Sequence, residues 1–228
     1  MKTTPMRTNE SAAGSTRLLH RLTAALLALV LAASAALPVF AADTAPTDTI
    51  YINSVSDLLA FADKCGFDQW SKGKTVILQE DLSLEDTEWA PVASFSGAFK
   101  GNGHTISDVS LVGAYSPAGF FGILEKGGSI QDLTIKGVVN PAGTQKTAGG
   151  LVGTNYGTII NCTFSGAVHG EEEAGGLVGR NETSGTIDHS TSRAMVSGAY
   201  ATGGIVGYNL GVITGCTNVG AVNSEYQE

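Results

Sequence analysis

The hydrophobic residues in the second half of the chain recur in a short phrase rather than at helical spacing. A Gly-Gly-aliphatic-Val-Gly phrase occurs at 149–153, 175–179 and 203–207, and a looser Gly-Phe-Phe-Gly copy lies at 119–122. Successive copies are 31, 26 and 28 residues apart. A near-constant period of this size predicts stacked structural repeats rather than an ordinary globular domain.

A second block follows each phrase and carries an isoleucine that anchors the alignment of the repeats. The anchors are spaced 24, 29, 28 and 26 residues apart and are Ile106, Ile130, Ile159, Ile187 and Ile213. Small or apolar residues stand three positions after each anchor, at Val109, Leu133, Cys162, Ser190 and Cys216. An odd offset between two inward positions breaks the alternation of a strand, so the backbone must bend between them.

The residue types at the predicted bend support this interpretation. Two positions after the anchors stand Asp108, Asp132, Asn161, His189 and Gly215. These types are enriched where φ is positive, so we expect a left-handed backbone at this column. Further columns hold Gly113, Gly137, Gly166, Ala194 and Gly220 seven positions on, and Val139, Val168, Val196 and Val222 nine positions on.

A column of asparagines follows the glycine phrase at Asn155, Asn181 and Asn209. Stacked amides can hydrogen-bond along a stack, as they do in cross-β structures. We therefore predict a structural role for these three side chains rather than ligand contacts.

The fold predicted from these columns is all-β: a right-handed parallel β-helix with one coil per repeat and a short N-terminal capping helix. Strands this short cannot bury a face alone, so the units must stack. A β-propeller or β-sandwich is the alternative, but units of 24–31 residues are short for a propeller blade of roughly 40. The predicted organisation is a signal peptide at 1–41, a cap at 42–94 and repeats at 95–228.

The cap is expected to begin with a helix at about 54–65. Ser54 and Asp57 resemble a capping box, and Gly66 can end the helix. One apolar stripe is predicted to face the core, formed by Val55, Leu58, Leu59, Ala62 and Cys65. Thr75–Leu78 then resembles an early buried strand.

The first forty residues have the pattern of an export signal. Four basic residues precede an Ala/Leu-rich run at 22–37, and small residues then favour cleavage after Ala41 or Ala42. A transmembrane anchor is the alternative, although the run is short for a span of about 20 residues. We expect a secreted or cell-surface protein with no stable membrane span after cleavage.

The net charge of the chain restricts its partners. Residues 1–41 hold four basic residues and one acidic residue, so their removal leaves 9 Lys and Arg against 20 Asp and Glu, a net charge of −11. This balance argues against nucleic acid or anionic lipid as a partner.

The three cysteines, Cys65, Cys162 and Cys216, are expected to be unpaired. Cys162 and Cys216 share a column but lie two coils apart, which is too far for a disulfide.

The glycine phrase with its following Asn and Gly-Thr-Ile block resembles the GLUG motif of bacterial surface and secreted proteins. The segment Phe-Ser-Gly-Ala-Phe-Lys-Gly-Asn-Gly-His-Thr-Ile at 95–106 and Ile-Gln-Asp-Leu at 130–133 are similar to the N-terminal part of many such proteins. The resemblance covers roughly residues 50–222 and implies a β-helical exported protein. Such repeats also occur in immunoglobulin-A-cleaving metalloproteases.

The titratable residues form no recognisable catalytic motif. None of His20, His104, His169 and His189 belongs to the His-Glu-x-x-His pattern that places two zinc ligands on one helix face. Asp108 with Asp132 is the best available carboxylate pair, and the adjacent Asp188-His189 is the next. Each of these falls in or beside the bend column, and the acidic run 171–173 fits a solvated loop. We assign no catalytic residue, no metal ligand and no cofactor.

The sequence therefore predicts an exported, non-catalytic β-solenoid module that takes part in adhesion or presents a ligand-binding surface to an unidentified protein or glycan. Two alternatives remain. One is a carbohydrate-active β-helix enzyme, either a lyase or a glycosidase. The other is the non-catalytic N-terminal region of a larger metalloprotease or adhesin, with further domains C-terminal to residue 228.

Overall fold

A computed structural model describes residues 48–66, 69–143 and 147–224, which belong to one compact unit spanning 46–228. The described residues contain one helix, α1 (Val55–Lys64), and short strands. The first strands are β1 (Thr49–Ile52), β2 (Thr75–Leu78), β3 (Leu82–Ser83), β4 (Val92–Phe95), β5 (Ala98–Lys100), β6 (Thr105–Leu111), β7 (Phe121–Leu124), β8 (Ser129–Gln131) and β9 (Thr134–Val139). The glycine phrase and the regular coils supply β10 (Thr147–Gly149), β11 (Val152–Asn155), β12 (Thr158–Ile160), β13 (Thr163–Gly170), β14 (Glu173–Gly175), β15 (Val178–Asn181), β16 (Thr186–Asp188), β17 (Thr191–Gly198), β18 (Ala201–Gly203), β19 (Val206–Asn209), β20 (Val212–Thr214), β21 (Thr217–Asn218) and β22 (Val222–Ser224).

The strands form four parallel sheets that run along a solenoid. Sheet A has the order β1-β2-β5-β8-β12-β16-β20, and sheet C has the order β19-β15-β11-β7-β4. Sheet B has the order β21-β17-β13-β9-β6-β3, with β22 also paired to β17, and sheet D is β10-β14-β18. From β10 onward each coil contributes strands to sheets D, C, A and B in turn, whereas the earlier coils have no strand in sheet D. This arrangement confirms the predicted parallel β-solenoid.

The anchor column of four isoleucines is confirmed in sheet A. Ile130 pairs with Ile159, Ile159 with Ile187, and Ile187 with Ile213. The first three are fully buried, whereas Ile213 is 38% exposed. The prediction of full burial is therefore wrong for Ile213, because no described coil lies beyond it.

The first repeat block lies one corner later than the sequence pattern predicts. Ile106 pairs with Ile135 in sheet B, and the residue that stacks on Ile130 is Phe99. Likewise Val109 pairs with Gly137, so neither Val109 nor Gly113 belongs to its predicted column. The physical reason is a longer corner: four residues separate β5 from β6, whereas two residues separate β8 from β9.

The bend column has the predicted backbone. Asp108, Asp132, Asn161, His189 and Gly215 all have positive φ, between 44° and 62°. Asp108 reaches this conformation for a different reason, since it lies at a bulge between Ile106 and Val109 in the pairing of β6 with β9. The remaining four mark the corner between sheet A and sheet B, as predicted.

Helix α1 begins after Ser54, whose Oγ accepts a hydrogen bond from the amide of Asp57 at 3.1 Å. The Asp57 carboxylate accepts in return from the amide of Asn53 at 3.0 Å. The buried face is formed by Leu58, Phe61 and Cys65, so the predicted stripe is wrong at Leu59, which is 39% exposed, and misses Phe61.

The core begins with an aromatic cluster under this helix. The ring centroid of Phe61 lies 5.7 Å from that of Phe95 and 5.8 Å from that of Phe99. Phe121 extends the cluster into the next coil, 5.5 Å from Phe95. The predicted signal peptide at 1–41 lies outside the described residues.

Candidate functional site

The glycine phrase forms the turn between sheet D and sheet C, and its glycines are packing residues. A Cβ on Gly150 would lie 2.2 Å from Cγ of Phe164, and one on Gly176 would lie 2.1 Å from Oγ of Ser192. A Cβ on Gly175 would meet the carbonyl oxygen of Val178 at 1.9 Å. The phrase therefore brings backbone against backbone and admits the side chains of sheet B, and leaves no cleft for a ligand.

The asparagine column forms the predicted ladder. Nδ2 of Asn155 donates to Oδ1 of Asn181 at 2.8 Å, and Nδ2 of Asn181 donates to Oδ1 of Asn209 at 2.8 Å. Oδ1 of Asn155 also accepts from the amide of Gly157 at 3.0 Å. Asn155 and Asn181 are fully buried, so their amides stabilise the stack and cannot contact a ligand.

Replacing Asn181 with Ala is expected to destabilise the protein by about 3 kcal/mol, because it breaks the hydrogen bonds to both neighbouring coils and leaves the buried Nδ2 of Asn155 without its acceptor. The matched control is Asn209→Ala, since Asn209 is exposed at the end of the same ladder. Its loss is expected to cost about 1 kcal/mol or less. Urea unfolding of both variants measures the difference, and equal losses would contradict a buried ladder.

The carboxylate pair suggested by the sequence does not form. Asp108 accepts hydrogen bonds from Ser83 and Ser107, both at 2.7 Å, and these contacts lower the pKa of its carboxyl group. Asp132 instead accepts from Nδ2 of Asn161 at 2.6 Å. Because Asp108 lies at the bulge of β6, the two carboxylates occupy different columns, and each is held by local hydrogen bonds.

The histidines are likewise engaged with near neighbours. Nδ1 of His189 lies 2.8 Å from the carboxylate of Asp188, and the His189 side chain is largely exposed. Nδ1 of His169 lies 3.0 Å from Oγ of Ser197, and Nδ1 of His104 lies 3.1 Å from Asp81. Each of these three histidines contacts a different partner, so the structure does not gather them into one site, and His20 lies outside the described residues.

Arg180 is the centre of a charged cluster on the outer face of sheet C. Its guanidinium donates to Glu182 at 2.7 Å and to Glu173 at 2.5 Å, and it lies 4.5 Å from the ring centroid of Tyr208. These carboxylates raise the pKa of Arg180 above its ordinary value. Glu173 also accepts from Thr147 at 3.0 Å, so the predicted acidic loop at 171–173 is partly tied to the sheets.

The described part of the chain has neither a candidate metal-binding cluster nor a candidate membrane-spanning helix. Within residues 48–66, 69–143 and 147–224, no group of three or more His, Cys, Asp or Glu side chains is placed to hold a metal ion. No helix in the described part of the chain has the length and apolar character of a membrane span.

The three cysteines are free thiols in the structure. The amide of Cys162 donates to Oγ of Ser190 at 3.0 Å, as expected if Ser190 separates Cys162 from Cys216 in one column. Burial raises the pKa of Cys65 and of Cys162 to about 12, from an ordinary 9.0. The folded state therefore favours the neutral thiols.

The raised thiol pKa values predict a loss of stability at high pH. Below pH 9 the thiols are protonated in both the folded and the unfolded protein, so the free energy of unfolding does not change with their titration. As the pH rises from 9 toward 12, only the unfolded thiols lose their protons, and the free energy of unfolding decreases. We expect Cys162→Ser to remove part of this loss, measured as the difference in unfolding free energy between pH 8 and about 10.5. An identical pH dependence in the variant and the parent would contradict a buried thiol at this position.

A polar groove of about 650 Å³ lies on the outside of sheet C, near the aromatic end of the core. Hydroxyl groups, one carboxylate and two ammonium groups line it, at Ser71, Ser94, Ser96, Glu125, Lys72 and Lys126. Oγ of Ser94 donates to Glu125 at 2.8 Å, and the amide of Ser96 donates to Oγ of Ser71 at 2.9 Å. The sequence columns did not single out this groove, because it lies on the outward positions of the sheet and on the loop at 69–73.

The GLUG motif family matches residues 144–168. This range holds the first complete glycine phrase, the first ladder residue Asn155, and the strands β11 and β12. The chain is therefore a β-solenoid that carries the GLUG motif, as the resemblance of its repeats indicates.

Two known proteins are similar to larger parts of the chain. Halomucin of Haloquadratum walsbyi (strain DSM 16790 / HBSQ001) is 36% identical over an alignment of 144 residues, which covers 56% of this chain and 2% of Halomucin. The crystal structure of a "putative immunoglobulin A1 protease" from Bacteroides ovatus has a TM-score of 0.63 at 23% identity over 77% of this chain. At that identity the second similarity shows the fold alone.

This chain covers only part of the length of the proteins it matches. It spans 2% of Halomucin and 57% of the Bacteroides ovatus chain.

Proposed function

We propose that this protein is an exported, non-catalytic β-solenoid module that presents a variable outer surface to a protein or glycan ligand. The observation that carries the proposal is a contrast between inward and outward columns. The inward column of sheet A repeats isoleucine at every regular coil. The outward column of sheet C instead reads Ser94, Ile123, Thr154, Arg180 and Tyr208.

A repeated interior with a changing exterior is suited to recognition. The inward residues are constrained by stacking, because each must pack on its equivalent in the next coil. The outward residues escape this constraint and can differ from coil to coil. Stacked repeats use such faces as extended binding surfaces.

The groove of sheet C is the part of this surface where we place the ligand. Its hydroxyl groups, the carboxylate of Glu125 and the ammonium groups of Lys72 and Lys126 can hydrogen-bond a ligand rich in hydroxyl groups. A glycan fits this chemistry. The candidate catalytic side chains, Asp108 and Asp132, are held in separate local contacts, which supports binding without turnover.

The binding proposal is tested by applying residues 46–228 to a glycan array and to immobilised mucin. Three variants each place one arginine on a different face: Ser94→Arg on sheet C, Ser165→Arg on sheet B and Ile160→Arg on sheet A. We expect saturable binding that only Ser94→Arg abolishes, with the bound glycan recovered unchanged by mass spectrometry. Cleaved glycan products would support the enzyme alternative, and binding by all three variants would overturn the place proposed for the ligand.

Export is tested separately by producing the whole chain in a bacterial host and determining the N-terminus of the product outside the cytoplasm. Cleavage after Ala41 or Ala42 gives a mature protein that starts at Ala42 or Asp43. A cell-associated product that keeps residues 1–41 would contradict the export proposal.

The partial coverage of the known proteins favours a second candidate function. The chain spans 57% of the Bacteroides ovatus chain and 2% of Halomucin, so the same module can serve as the non-catalytic region of a larger adhesin or protease. Under this candidate, the module would still bind its ligand, and the chemistry would belong to another domain.

A further inference from the structure

The groove of sheet C is formed where a short corner of the solenoid lies between two longer ones. Strands β2, β5 and β8 are consecutive in sheet A, so the corners that precede them are stacked in the same order. Two residues, 96–97, separate β4 from β5, whereas four residues, 125–128, separate β7 from β8. The loop at 69–74 precedes β2. The middle corner is therefore recessed, and the two longer corners form the walls of the groove.

A second short corner differs from the first in the side chain that it carries. The residues that follow β4, β7 and β11 occupy one column, because the ends of these strands pair in register. They are Ser96, Glu125 and Tyr156. The corner at 156–157 is as short as the one at 96–97 and also lies between longer corners. Tyr156 carries a phenol ring at this position, whereas Ser96 carries only a hydroxymethyl group, which leaves the recess at 96–97 open.

Each wall of the groove carries one lysine whose charge is not neutralised. Lys72 extends from one wall and Lys126 from the other, and both are exposed. Neither forms an ion pair with another described residue, whereas Lys74, close by, is bound to Asp48. The corners that carry the two ammonium groups are two coils apart, which is about 10 Å along the solenoid. Flexible lysine side chains can span this distance to reach the same ligand.

Hydroxyl groups form the floor between the two lysines. Oγ of Ser71 accepts a hydrogen bond from the amide of Ser96 and lies 3.3 Å from the Oγ of Ser96. Glu125 is the one carboxylate among the described residues that line the groove, and Ser94 donates to it at 2.8 Å. The groove thus holds two positive charges and one negative charge, although acidic residues strongly outnumber basic residues after residue 41.

We propose that the groove of sheet C binds an acidic glycan, whose carboxylate or sulfate groups contact Lys72 and Lys126 while its hydroxyl groups contact the serines and Glu125. This inference rests on the proposed function and adds the charge of the ligand. Hydrogen bonds from an ammonium group to such anions are stronger than those between neutral groups. The acidic remainder of the protein repels a polyanion, so the contact is confined to a short stretch of glycan at the groove.

Isothermal titration calorimetry of residues 46–228 tests the charge of the ligand with matched probes. A short oligogalacturonate carries carboxylates, and its methyl ester has the same sugar backbone without the charge. Sulfated and unmodified dextran oligosaccharides form the corresponding pair for sulfate. We expect the charged member of one pair to bind at least about tenfold more tightly than its neutral counterpart, and to bind more weakly as salt rises from about 0.05 to 0.5 M. The pair that behaves in this way distinguishes a carboxylated ligand from a sulfated one.

Variants of the groove test where the charge is recognised. Lys72→Gln and Lys126→Gln are each expected to weaken binding of the charged probe about threefold or more. Ser96→Tyr places the side chain of Tyr156 in the recess and is expected to abolish binding. The matched control is Lys136→Gln, because Lys136 is an exposed lysine on the outer face of sheet B, and it should bind like the parent. Circular dichroism confirms that each variant is folded.

The outcomes separate this inference from the proposed function. Equal binding of the charged and neutral probes would overturn the inference and leave a glycan-binding module. Charged-probe binding that both lysine variants retain in full would also contradict it, because the charge would then be recognised elsewhere. A protein that binds none of the four probes would refute the inference, and the glycan array would then decide the proposed function alone.

Discussion

Replacing Ile159 with Asp is expected to prevent folding. Ile159 is fully buried between Ile130 and Ile187 in the anchor column, within the hydrophobic core. An unpaired charge in such an interior costs several kcal/mol or more, a large share of the stability of a typical domain. Replacing Ile159 with Ala should cost roughly 2–5 kcal/mol and leave a folded protein.

The next residue provides the matched control. Ile160 carries the same side chain, belongs to the same strand and is 39% exposed on the outside of sheet A. Ile160→Asp is therefore expected to melt within a few degrees of the parent in thermal denaturation followed by circular dichroism. Similar melting of the two Asp variants would show that the assignment of inward and outward positions is wrong.

Replacing Gly150 with Ala is expected to destabilise the protein by more than about 3 kcal/mol, because the added methyl group cannot be accommodated without backbone movement. Its Cβ would lie 2.2 Å from Cγ of Phe164 and 2.6 Å from the carbonyl oxygen of Gly176. The control is Gly66→Ala at the end of α1, where the nearest atom is 3.1 Å away. This change should cost about 1 kcal/mol or less.

A double-mutant cycle separates the two contacts at Gly150. Phe164→Ala removes the ring but leaves the carbonyl of Gly176, so the loss caused by Gly150→Ala should be smaller in that background without vanishing. Urea unfolding of the four proteins gives the coupling free energy. Strict additivity would mean that the glycine phrase does not pack against the side chains of sheet B.

The regular coils could be predicted from sequence because identical positions are subject to identical constraints. An isoleucine recurs where each coil packs on the next, and residues that tolerate positive φ recur where each coil turns. These two columns fixed the register of Ile130, Ile159 and Ile187, and the same stacking placed the amides of Asn155 and Asn181 in a ladder.

The predictions of register and burial are wrong where a coil differs in geometry from the regular coils. The corner before β6 is longer than the later corners, so the Thr-Ile pattern at 105–106 lies in sheet B rather than sheet A. The signal that could have corrected the register is Phe99, which precedes Ile130 by 31 residues, within the range of the repeat spacings. The exposure of Ile213 could not be predicted from the pattern, because a column of equivalent residues does not show which of them belongs to the last described coil.

The groove of sheet C could not be predicted from the sequence either. Its serines come from the loop at 69–73, from strand β4 and from Ser96 just after β4, and its carboxylate comes from the turn after β7. Only the stacking of coils brings these segments together. The outward positions of sheet C differ from repeat to repeat, so no periodic signal marks them.

The stacked register is the central claim of the structure, and engineered disulfide formation tests it most directly. In a Cys216→Ser background, Ile160→Cys with Asp188→Cys places two thiols at Cα partners on adjacent coils, about 4.8 Å apart, within the range that a disulfide accepts. Ile160→Cys with Thr214→Cys spans two coils and roughly 10 Å, which is too far. We expect mild oxidation to cross-link the first pair and leave the second pair reduced, and cross-linking of the second pair alone would contradict the register.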